Sequence, residues 1–434
     1  MTGTHKQILL FPILLVNFTS TLGFSIILPF LVFLVMDFGG NAIVFGILSA
    51  MYPTFQLIGA PILGRWSDIY GRKKILLISN VGTFVGWLLF LFALFLPISR
   101  LFDVNFSLIG TFVITLPLLM LFVARAIDGI TGGNVSVANA YLADISSNED
   151  RSRNFGKMAI SSNLGFIVGP ALAGILGGTI YGEILPVLAA IIISLVTLIV
   201  IPFTLKESKR LSSHLSGQMQ IFERGTVRKV FSHECKDCFD SRENNNLSFK
   251  EVLKLEKISM LLIVYFLIFL GFNIFYTSFP IHAVAGLNWS VTQIGIFFAV
   301  LSGIMVAVQG PVLRKALTRF SEEKLVILGN IILGVNFLLF ISNNVILLYV
   351  AAGLFAIGNG LMWPSFMSIL SYRAGTTHQG AVQGLAGSFG SLASIIGLTI
   401  GGILYSLFGS TTFLFSGIVI FAVSILSFRL LKMK

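Results

Sequence analysis

Arg125 and Asp128 are charged residues inside an otherwise apolar stretch, and they are the side chains best placed to do chemistry. A charge inside a membrane segment costs about 3 kcal/mol or more. Residues three apart share one face of a helix, so the two charges can partly neutralise each other. Deeply placed carboxylates are suited to carrying protons. The pair therefore predicts either a proton-coupling site or an ion pair that only fixes helix packing.

A second set of charges lies in the short connection that begins at Gly64. Asp68 can form charge-assisted hydrogen bonds with the neighbouring cations Arg72 and Lys73. We expect Gly64 to permit close approach of another helix and Gly71 to permit the turn. The alternative to a loop held together by these charge-assisted hydrogen bonds is a simple turn, whose cations only fix the topology of the chain.

Small residues recur at every fourth position in a third motif, Gly165, Gly169 and Ala173, followed by Gly174. Such spacing lets helices pack closely, and Pro170 permits a bend. From the residues alone, this motif predicts a helix-packing face.

These motifs lie in a chain of 434 residues that is 56% hydrophobic and only 11% charged. Its apolar stretches reach about 20 residues, the length that a helix needs to cross a bilayer core of about 30 Å. They do not alternate with period two, which argues against a membrane β-barrel. We therefore predict an all-α membrane protein with twelve transmembrane helices. The predicted helices are Ile8–Met36, Ile43–Leu63, Ile75–Pro97, Ser107–Ile130, Phe155–Ile180, Ile184–Leu205, Ile258–Val284, Thr292–Leu313, Lys324–Ser342, Val345–Ser371, Gln379–Phe408 and Thr412–Leu431.

The positive charges fall almost entirely on one side of these helices. Loops on the other side carry only Arg100, beside Asp103. Because cytoplasmic loops are enriched in Lys and Arg, both termini are predicted to be cytoplasmic. The net charge of +11 then reflects topology and contact with the lipid bilayer, and we expect no nucleic-acid partner. The cations concerned are Arg65, Arg72, Lys73, Lys74, Arg151, Arg153, Lys157, Arg314, Lys315, Arg319, Lys324, Arg373, Arg429, Lys432 and Lys434.

One long polar stretch, Lys206–Glu256, divides the helices six and six. We predict an N-terminal bundle over residues 1–205, a cytoplasmic loop over 206–256 and a C-terminal bundle over 257–434. Two segments repeat at an offset of six helices. Ala60-Pro61-Ile62-Leu63 resembles Gly310-Pro311-Val312-Leu313, and Gly169–Leu176 resembles Gly397–Leu404. The repeat predicts two pseudo-symmetric six-helix bundles of the kind that transporters rock around a central site.

Together, the motifs resemble the major facilitator superfamily, and within it the tetracycline-exporter-like branch of the drug:H+ antiporters. The resemblance covers nearly the whole chain outside Lys206–Glu256 and implies secondary transport of a small solute. It implies that the connection after span two is a gating loop that stabilises the outward-open state and breaks on switching. It also implies proton coupling at Arg125 and antiport for the helix-five motif. The residues concerned are Gly64, Asp68, Gly71, Arg72 and Lys73; Arg125 and Asp128; and Gly165, Gly169, Pro170 and Gly174; Tyr52 and Gln56 add to the match.

The sequence departs from that branch at its buried acids. Ser20, Gly86 and Leu333 stand where the resemblance leads us to expect carboxylates in helices one, three and nine. Asp128 is the one clear intramembrane acid that remains. We therefore do not expect tetracycline itself as the cargo, and an uncoupled uniporter stays open as an alternative to proton antiport.

Polar and aromatic residues on the helices that line the cavity in this family are the candidates for contacting the solute. With few charges in the bundle, we expect a neutral or zwitterionic amphipathic solute, although Arg125 can instead attract an anion. For each candidate the alternative is a hydrogen bond between helices. The candidates are Asn17, Ser20, Asn139, Asn163, Asn273, Tyr276, Asn359 and Trp363.

The sequence gives no support for an enzyme, a cofactor or an ATP-driven pump. Cys235 and Cys238 form a Cys-x-x-Cys pair next to His233, but zinc usually needs a second such pair. No nucleotide-binding loop of the Gly-x-x-x-x-Gly-Lys-Ser/Thr type is present. We expect a monomer in a bacterial inner membrane. A non-transporting receptor or scaffold, acting through the long polar loop, is a third hypothesis.

Overall fold

The computed structural model describes residues 3–106, 110–132, 134–146, 151–207 and 257–432. Helices account for nearly all of the first part of the chain, which also holds a two-stranded hairpin. Its elements are α1 (Gly3–Ile26), α2 (Leu31–Asp37), α3 (Ala42–Tyr70), α4 (Arg72–Phe95), β1 (Arg100–Phe106), β2 (Gly110–Thr115), α5 (Leu116–Thr131), α6 (Asn134–Ile145), α7 (Arg151–Gly177) and α8 (Ile184–Thr204).

In the residues described, the second part of the chain consists of helices joined by short turns. It contains α9 (Ile258–Ala285), α10 (Val291–Ala307), a π-helical turn (Val308–Val312), α11 (Leu313–Leu317), α12 (Glu322–Leu339), α13 (Val345–Phe408), a short 3-10 turn (Gly409–Thr411), α14 (Thr412–Ser427) and a final 3-10 turn (Phe428–Lys432). We call residues 3–207 the N-terminal half and residues 257–432 the C-terminal half.

These helices make twelve membrane spans. In the described ranges, nine segments are long and apolar enough to cross a membrane, and the pair α1–α2, bent by 42°, makes a tenth. The segment Val382–Leu431 supplies two crossings, because α13 ends at Phe408 and α14 begins at Thr412. The twelfth is α12, whose first turn is charged. Spans 1 to 12 are thus α1–α2, α3, α4, α5–α6, α7, α8, α9, α10–α11, α12, the two parts of α13, and α14.

Side-chain caps fix several of the helix starts. Asn41 accepts hydrogen bonds from the backbone amides of Ile43 and Val44, both at 3.0 Å, at the start of α3. Asn344 caps α13 in the same way. Ser290 and Gln293 form a capping box at the start of α10. Each cap satisfies amide groups that have no partner within the helix, which matters most where water is scarce.

The predicted fourth helix, Ser107–Ile130, is wrong over its first part. Residues Arg100–Phe106 and Gly110–Thr115 instead form an antiparallel hairpin, and the helix begins at Leu116. The amide of Val113 donates to the carbonyl of Gly39 at 3.0 Å, which fastens the hairpin to the end of α2. The segment Thr111–Thr115 is apolar and β-branched, so it suits a strand as well as a membrane helix.

Predicted helices ten and eleven are one unbroken helical run, the 64-residue α13. A straight helix of that length would be about 96 Å long. Phe340 and Phe413 flank the two ends of the run, yet their rings lie only 5.8 Å apart. The run therefore doubles back, and it contributes two antiparallel spans as expected.

Matching glycine contacts relate the two halves. Span 5 packs on span 1, where a Cβ on Gly165 would lie 2.9 Å from the amide nitrogen of Leu22. Span 11 packs on span 7 in the same manner, since a Cβ on Gly397 would lie 2.8 Å from the Cβ of Asn273. The two pairs differ by six spans, as the sequence repeat predicted.

The basic end of the bundle is the one that holds the connection between spans 2 and 3, with Arg72 and Lys73. The hairpin end is the opposite one, which holds β1 and β2. Buried apolar residues of both halves meet at the hairpin end in one cluster, which includes Phe45 and Val187 from the N-terminal half and Ile281 and Val291 from the C-terminal half.

Candidate transport site and gating loop

Arg125 and Asp128 form an ion pair within span 4. Arg125 Nη1 lies 3.5 Å from Asp128 Oδ2, and the Arg125 residue is only 3% exposed. The hydroxyl of Thr83 on span 3 hydrogen-bonds the Asp128 carboxylate. Arg125 Nε has no hydrogen-bond partner in the described parts of the chain. The pair is therefore buried, and Arg125 is only partly satisfied.

Tyr52 on span 2 covers the guanidinium of Arg125. The Cζ atom of Arg125 lies 5.0 Å from the ring centroid, which is close enough for a cation–π contact. Gln56, one turn further on, donates to the Tyr52 hydroxyl at 3.2 Å and to the carbonyl of Gly132 at 2.9 Å. Spans 2 and 4 thus hold the charged pair from two sides. The sequence indicated Tyr52 and Gln56 only through the resemblance to the family, and not as contacts of the charged pair.

Two of the positions that lack an expected acid are packed against other groups. A Cβ on Gly86 would lie 3.1 Å from the Cβ of Asp128, so span 3 leaves room for the Asp128 side chain. Leu333 is fully buried in the apolar core of the C-terminal half.

Ser20, the third such position, accepts a hydrogen bond from Asn134 Nδ2 at 2.6 Å and donates to the carbonyl of Val16 at 2.7 Å. Ser20 is partly exposed, and its hydroxyl ties span 1 to α6 in span 4.

Arg72 holds the connection between spans 2 and 3, which is the predicted gating loop. Its guanidinium bonds Asp68 at 2.5 Å, Ser67 at 2.5 Å and Asp144 at 3.1 Å. Asp144 ends span 4, so Arg72 ties the connection between spans 2 and 3 to that span. Gly71 has φ +101°, a value that side chains other than glycine's rarely adopt, and it permits the turn as expected.

The first residues after span 6 complete this loop, and the sequence did not point to them. Glu207 accepts a hydrogen bond from the backbone amide of Lys73 at 3.3 Å, at the start of α4. Lys73 Nζ donates to the carbonyl of Pro202 at 2.6 Å. The Tyr141 hydroxyl donates to the carbonyl of Lys206 at 2.8 Å. An acceptor at a helix N-terminus is favourable, so Glu207 stabilises the turn after Gly71.

The helix-five motif packs on both halves. A Cβ on Gly169 would lie 2.9 Å from the amide nitrogen of Ile26 on span 1. On the other side, a Cβ on Gly174 would lie 2.9 Å from the Cα of Gly295 on span 8, and a Cβ on Gly295 would lie 2.8 Å from the carbonyl oxygen of Pro170. Spans 5 and 8 therefore touch backbone to backbone near the hairpin end.

Spans 2 and 11 touch at the hairpin end and separate toward the basic end. A Cβ on Gly46 would lie 2.7 Å from the carbonyl oxygen of Leu398 and 3.2 Å from the Cα of Gly402. Gly64 follows Gly46 by 18 residues, and Gly384 precedes Gly402 by 18. Eighteen residues are five turns, so each pair shares one helix face, over about 27 Å.

Neither Gly64 nor Gly384 has a heavy atom of the described residues within 4 Å of its would-be Cβ. The expectation that Gly64 permits close helix approach is therefore wrong in this conformation, because no described helix lies against it. The two halves are in contact at the hairpin end, and spans 2 and 11 are apart at the basic end.

The candidate cavity residues in the N-terminal half fall into different settings. Asn17 is 2% exposed and bonds the carbonyl of Met158 at 2.9 Å and Ser162 at 2.6 Å, so it does not face a cavity but joins spans 1 and 5. Asn139, on α6, is partly exposed. Asn163 is also partly exposed and donates to Gln309 on span 8 at 2.8 Å, which links the two halves.

The candidates in the C-terminal half are all partly exposed. Asn273 donates to Ser394 on span 11 at 3.0 Å, and Asn359 contacts the sulfur of Met305 at 3.1 Å. Tyr276 stacks near Phe298, with centroids 6.4 Å apart.

Trp363 lies 5.4 Å, between ring centroids, from both Tyr265 and Phe269. The rings of Tyr265 and Phe269 are themselves stacked at 4.8 Å. Spans 7 and 10 thus hold an aromatic cluster, which the sequence indicated only through Trp363.

No group of metal-binding side chains occurs in the described ranges of the chain. The Cys235 and Cys238 pair lies outside them, as do residues 208–256 of the predicted cytoplasmic loop.

Comparison with known proteins agrees with this architecture. The family model of the Major Facilitator Superfamily matches residues 13–316 and again 261–434. Over 401 residues, the chain is 28% identical to "Tetracycline resistance protein, class C" of Escherichia coli, covering 90% of this chain and 88% of that protein. Over 426 residues, it is 28% identical to "Multidrug resistance protein 2" of Bacillus subtilis (strain 168), covering 96% and 93%.

Among solved structures, the chain is similar to the crystal structure of a human organic anion transporter. The TM-score is 0.67 at 20% identity, over 97% of this chain and 99% of that one. Twelve spans in two related bundles, together with the match to the family model, identify a membrane transporter rather than an enzyme. The chain belongs to the major facilitator superfamily and is a secondary transporter of a small solute.

Proposed function

We propose that the protein exports an amphipathic organic solute of the drug or metabolite class by alternating access, with a proton bound at Asp128 driving transport. The buried Arg125–Asp128 pair carries this proposal. Burial disfavours the charged form of a carboxylate in a membrane span, unless a partner such as Arg125 neutralises it. Binding or release of one proton at Asp128 breaks or restores its ion pair with Arg125. Because Arg125 contacts the ring of Tyr52, the change reaches span 2 directly.

The position of Asp128 supports its role as the proton carrier. Span 3 has only a hydrogen at Gly86, and the Asp128 side chain packs there against the neighbouring helix. Thr83, on the same span, bonds the carboxylate. Asp128 therefore joins spans 3 and 4 next to span 2, which carries the gating loop. A change in its charge therefore acts on the packing of spans 2, 3 and 4.

The character of the candidate cavity supports the class of solute. The aromatic cluster of Tyr265, Phe269 and Trp363 suits stacking with a flat ring. Arg125 is buried beneath Tyr52 and paired with Asp128, so it presents little net charge. We therefore favour a neutral or zwitterionic solute with an aromatic part over a simple anion. Because the relatives named above are resistance proteins, we propose efflux as the direction.

The placement in the cell follows from the charges and the relatives. We propose that the basic end and both termini face the cytoplasm, since Arg72 and Lys73 lie there and cytoplasmic loops are enriched in such residues. The relatives are bacterial, so we propose the bacterial inner membrane. We also propose a monomer divided into bundles at residues 1–205 and 257–434, joined by the cytoplasmic loop 206–256.

Transport into proteoliposomes with an imposed pH gradient tests the coupling. We expect the intact protein to accumulate at least one solute of a panel of aromatic, amphipathic drugs that includes tetracycline. Asp128→Asn should abolish gradient-driven accumulation and retain solute exchange, because the neutral amide carries no proton. Asp103→Asn, an exposed site in the hairpin, is the matched control and should behave as the parent.

Three outcomes contradict parts of this proposal. Gradient-driven accumulation by Asp128→Asn would place the proton elsewhere. Solute flux by the parent that ignores the pH gradient would make the protein a uniporter. A parent that moves no solute of the panel, but loses a bound protein partner when residues 208–256 are deleted, would make it a scaffold.

A further inference from the structure

His282 is a buried titratable residue that the proposed transport cycle does not use. It lies in the last turn of span 7 and is 2% exposed. Its Nδ1 atom lies 3.1 Å from the hydroxyl of Tyr405 on span 11. Its Nε2 atom is buried and has no hydrogen-bond partner in the described ranges. Phe413 packs edge-on against the ring, with centroids 5.6 Å apart.

The imidazole lies directly behind the contact between the two halves. Ile281, the preceding residue, belongs to the buried cluster at the hairpin end that both halves build, and Tyr405 packs against the same cluster. Gly402, three residues before Tyr405, meets span 2, where its would-be Cβ lies 2.5 Å from the carbonyl oxygen of Ala42. Any change in the His282–Tyr405 bond therefore acts on the surface that closes the hairpin end.

Few titratable groups face this site from the neighbouring elements. Among the described side chains, Tyr405 is the titratable group on span 11, and span 12 has none between Thr412 and Ser427. Asp37 is exposed at the end of α2, which also packs on span 7. Tyr349 on span 10 packs instead on Phe297. In the C-terminal half, His282 is the sole histidine whose side chain the structure describes.

We propose that His282 is a second proton-binding site, and that its protonation opens the hairpin end. The neutral ring has one N–H group and one bare nitrogen, which suits a single bond to the Tyr405 hydroxyl. A bound proton makes both nitrogens donors and adds a positive charge, while Nε2 has nothing to donate to. A buried unpaired charge is costly, and entry of water on opening removes the cost. Protons thus bind the open form more tightly and shift the population toward it.

This inference rests on the alternating-access mechanism of the proposed function, but its test needs no transported solute. Ile180→Cys and Ile346→Cys, which we call the hairpin-end pair, place spin labels on exposed residues of the two halves in a Cys235→Ser, Cys238→Ser background. Distance distributions are measured by electron paramagnetic resonance in lipid nanodiscs from about pH 8 to about pH 5.5, the range in which histidine titrates.

We expect the ratio of long to short distances to rise roughly tenfold as the pH falls. His282→Gln should hold the short distance at every pH, since glutamine cannot be protonated. His282→Lys should favour the long distance even at the higher pH. Tyr405→Phe keeps the ring and removes the bonded hydroxyl, so the response should remain and its midpoint should move.

An unchanged pH response in His282→Gln would overturn the inference, even if transport and its dependence on Asp128 stand. Asp103→Asn, at an exposed carboxylate of the hairpin, is the matched control and should retain the hairpin-end response. Loss of the response in Asp128→Asn together with its retention in His282→Gln would assign the whole effect to span 4. Monodisperse elution and an unchanged melting temperature show that each variant is folded.

Discussion

Arg72 makes the side-chain contacts that hold the predicted gating loop between spans 2 and 3. Its planar guanidinium reaches Asp68, Ser67 and Asp144 at once, each through a different nitrogen atom. The Asp68 side chain is 47% exposed, so its own ion pair with Arg72 is screened by water and contributes little. Asp144 is more buried, and its bond joins two spans. The contact with span 4 is therefore the more important of the two.

Replacing Arg72 by Lys should slow transport although the charge is kept. A lysine ammonium cannot serve three acceptors in the fork-like geometry of arginine. Hydrogen bonds to charged groups are worth about 1.5–3 kcal/mol, so we expect the initial rate of solute uptake to fall roughly tenfold or more. Lys74→Gln, at an exposed neighbouring cation, is the control and should transport normally. A normal rate in Arg72→Lys would show that charge alone is needed.

Contacts between residues close together in the sequence could be predicted, whereas contacts between residues far apart in the sequence could not. Asp68 and Arg72 are four residues apart in one short connection, so their pairing follows from their closeness in the sequence. Asp144 lies 72 residues after Arg72, and no local pattern links them. Asn17 was predicted to line the cavity, because a polar side chain in an apolar span can either contact a solute or form a hydrogen bond between helices. Only the placement of Ser162 opposite it decides that it joins helices.

Among the elements, spans 2 and 11 show how the halves separate. The same helix faces touch at Gly46 and Gly402 and have no neighbour at Gly64 and Gly384, in the part of the chain that the structure describes. Both faces keep glycine at both ends. This pattern is what two helices need if they meet at one end in one state and at the other end in the alternate state.

Alanine at these glycines should therefore act on different states. Gly46→Ala places a Cβ 2.7 Å from the carbonyl oxygen of Leu398, an overlap that costs about 1–3 kcal/mol. We expect it to raise the long-distance population of the hairpin-end pair by roughly fivefold or more. Gly64→Ala should lower the long-distance population of the hairpin-end pair and the transport rate, because it obstructs the state in which the basic end closes. Identical distributions for Gly46→Ala and the parent would show that the helices adjust without cost.

The helix pattern was largely predictable, and its failures have local causes. Asn41 and Ser290 cap α3 and α10, and both are residue types that favour helix starts. The hairpin before span 4 was missed because the apolar residues of Gly110–Thr115 merge with the span in a hydropathy count. Thr115 followed by Pro117 marks the true helix start, since threonine caps and proline favours the first turn.

For the whole molecule, the arrangement implies a two-state rocking motion. Spans 5 and 8 stay in contact from Gly174–Gly295 to Asn163–Gln309, whereas spans 2 and 11 part along their length. Sequence repeats predicted the two bundles, because homologous halves conserve their packing. They could not predict which end is closed, since both states use the same helices and differ by small free energies.

Simultaneous distance measurements at both ends test alternating access most directly. Phe203→Cys and Phe320→Cys form a basic-end pair of exposed residues, one in each half, to be studied beside the hairpin-end pair in the cysteine-free background. Lowering the pH should lengthen the hairpin-end distance and shorten the basic-end distance in equal proportions of molecules. Distances that both lengthen, or that change at one end only, would contradict a single rocking transition between the two halves.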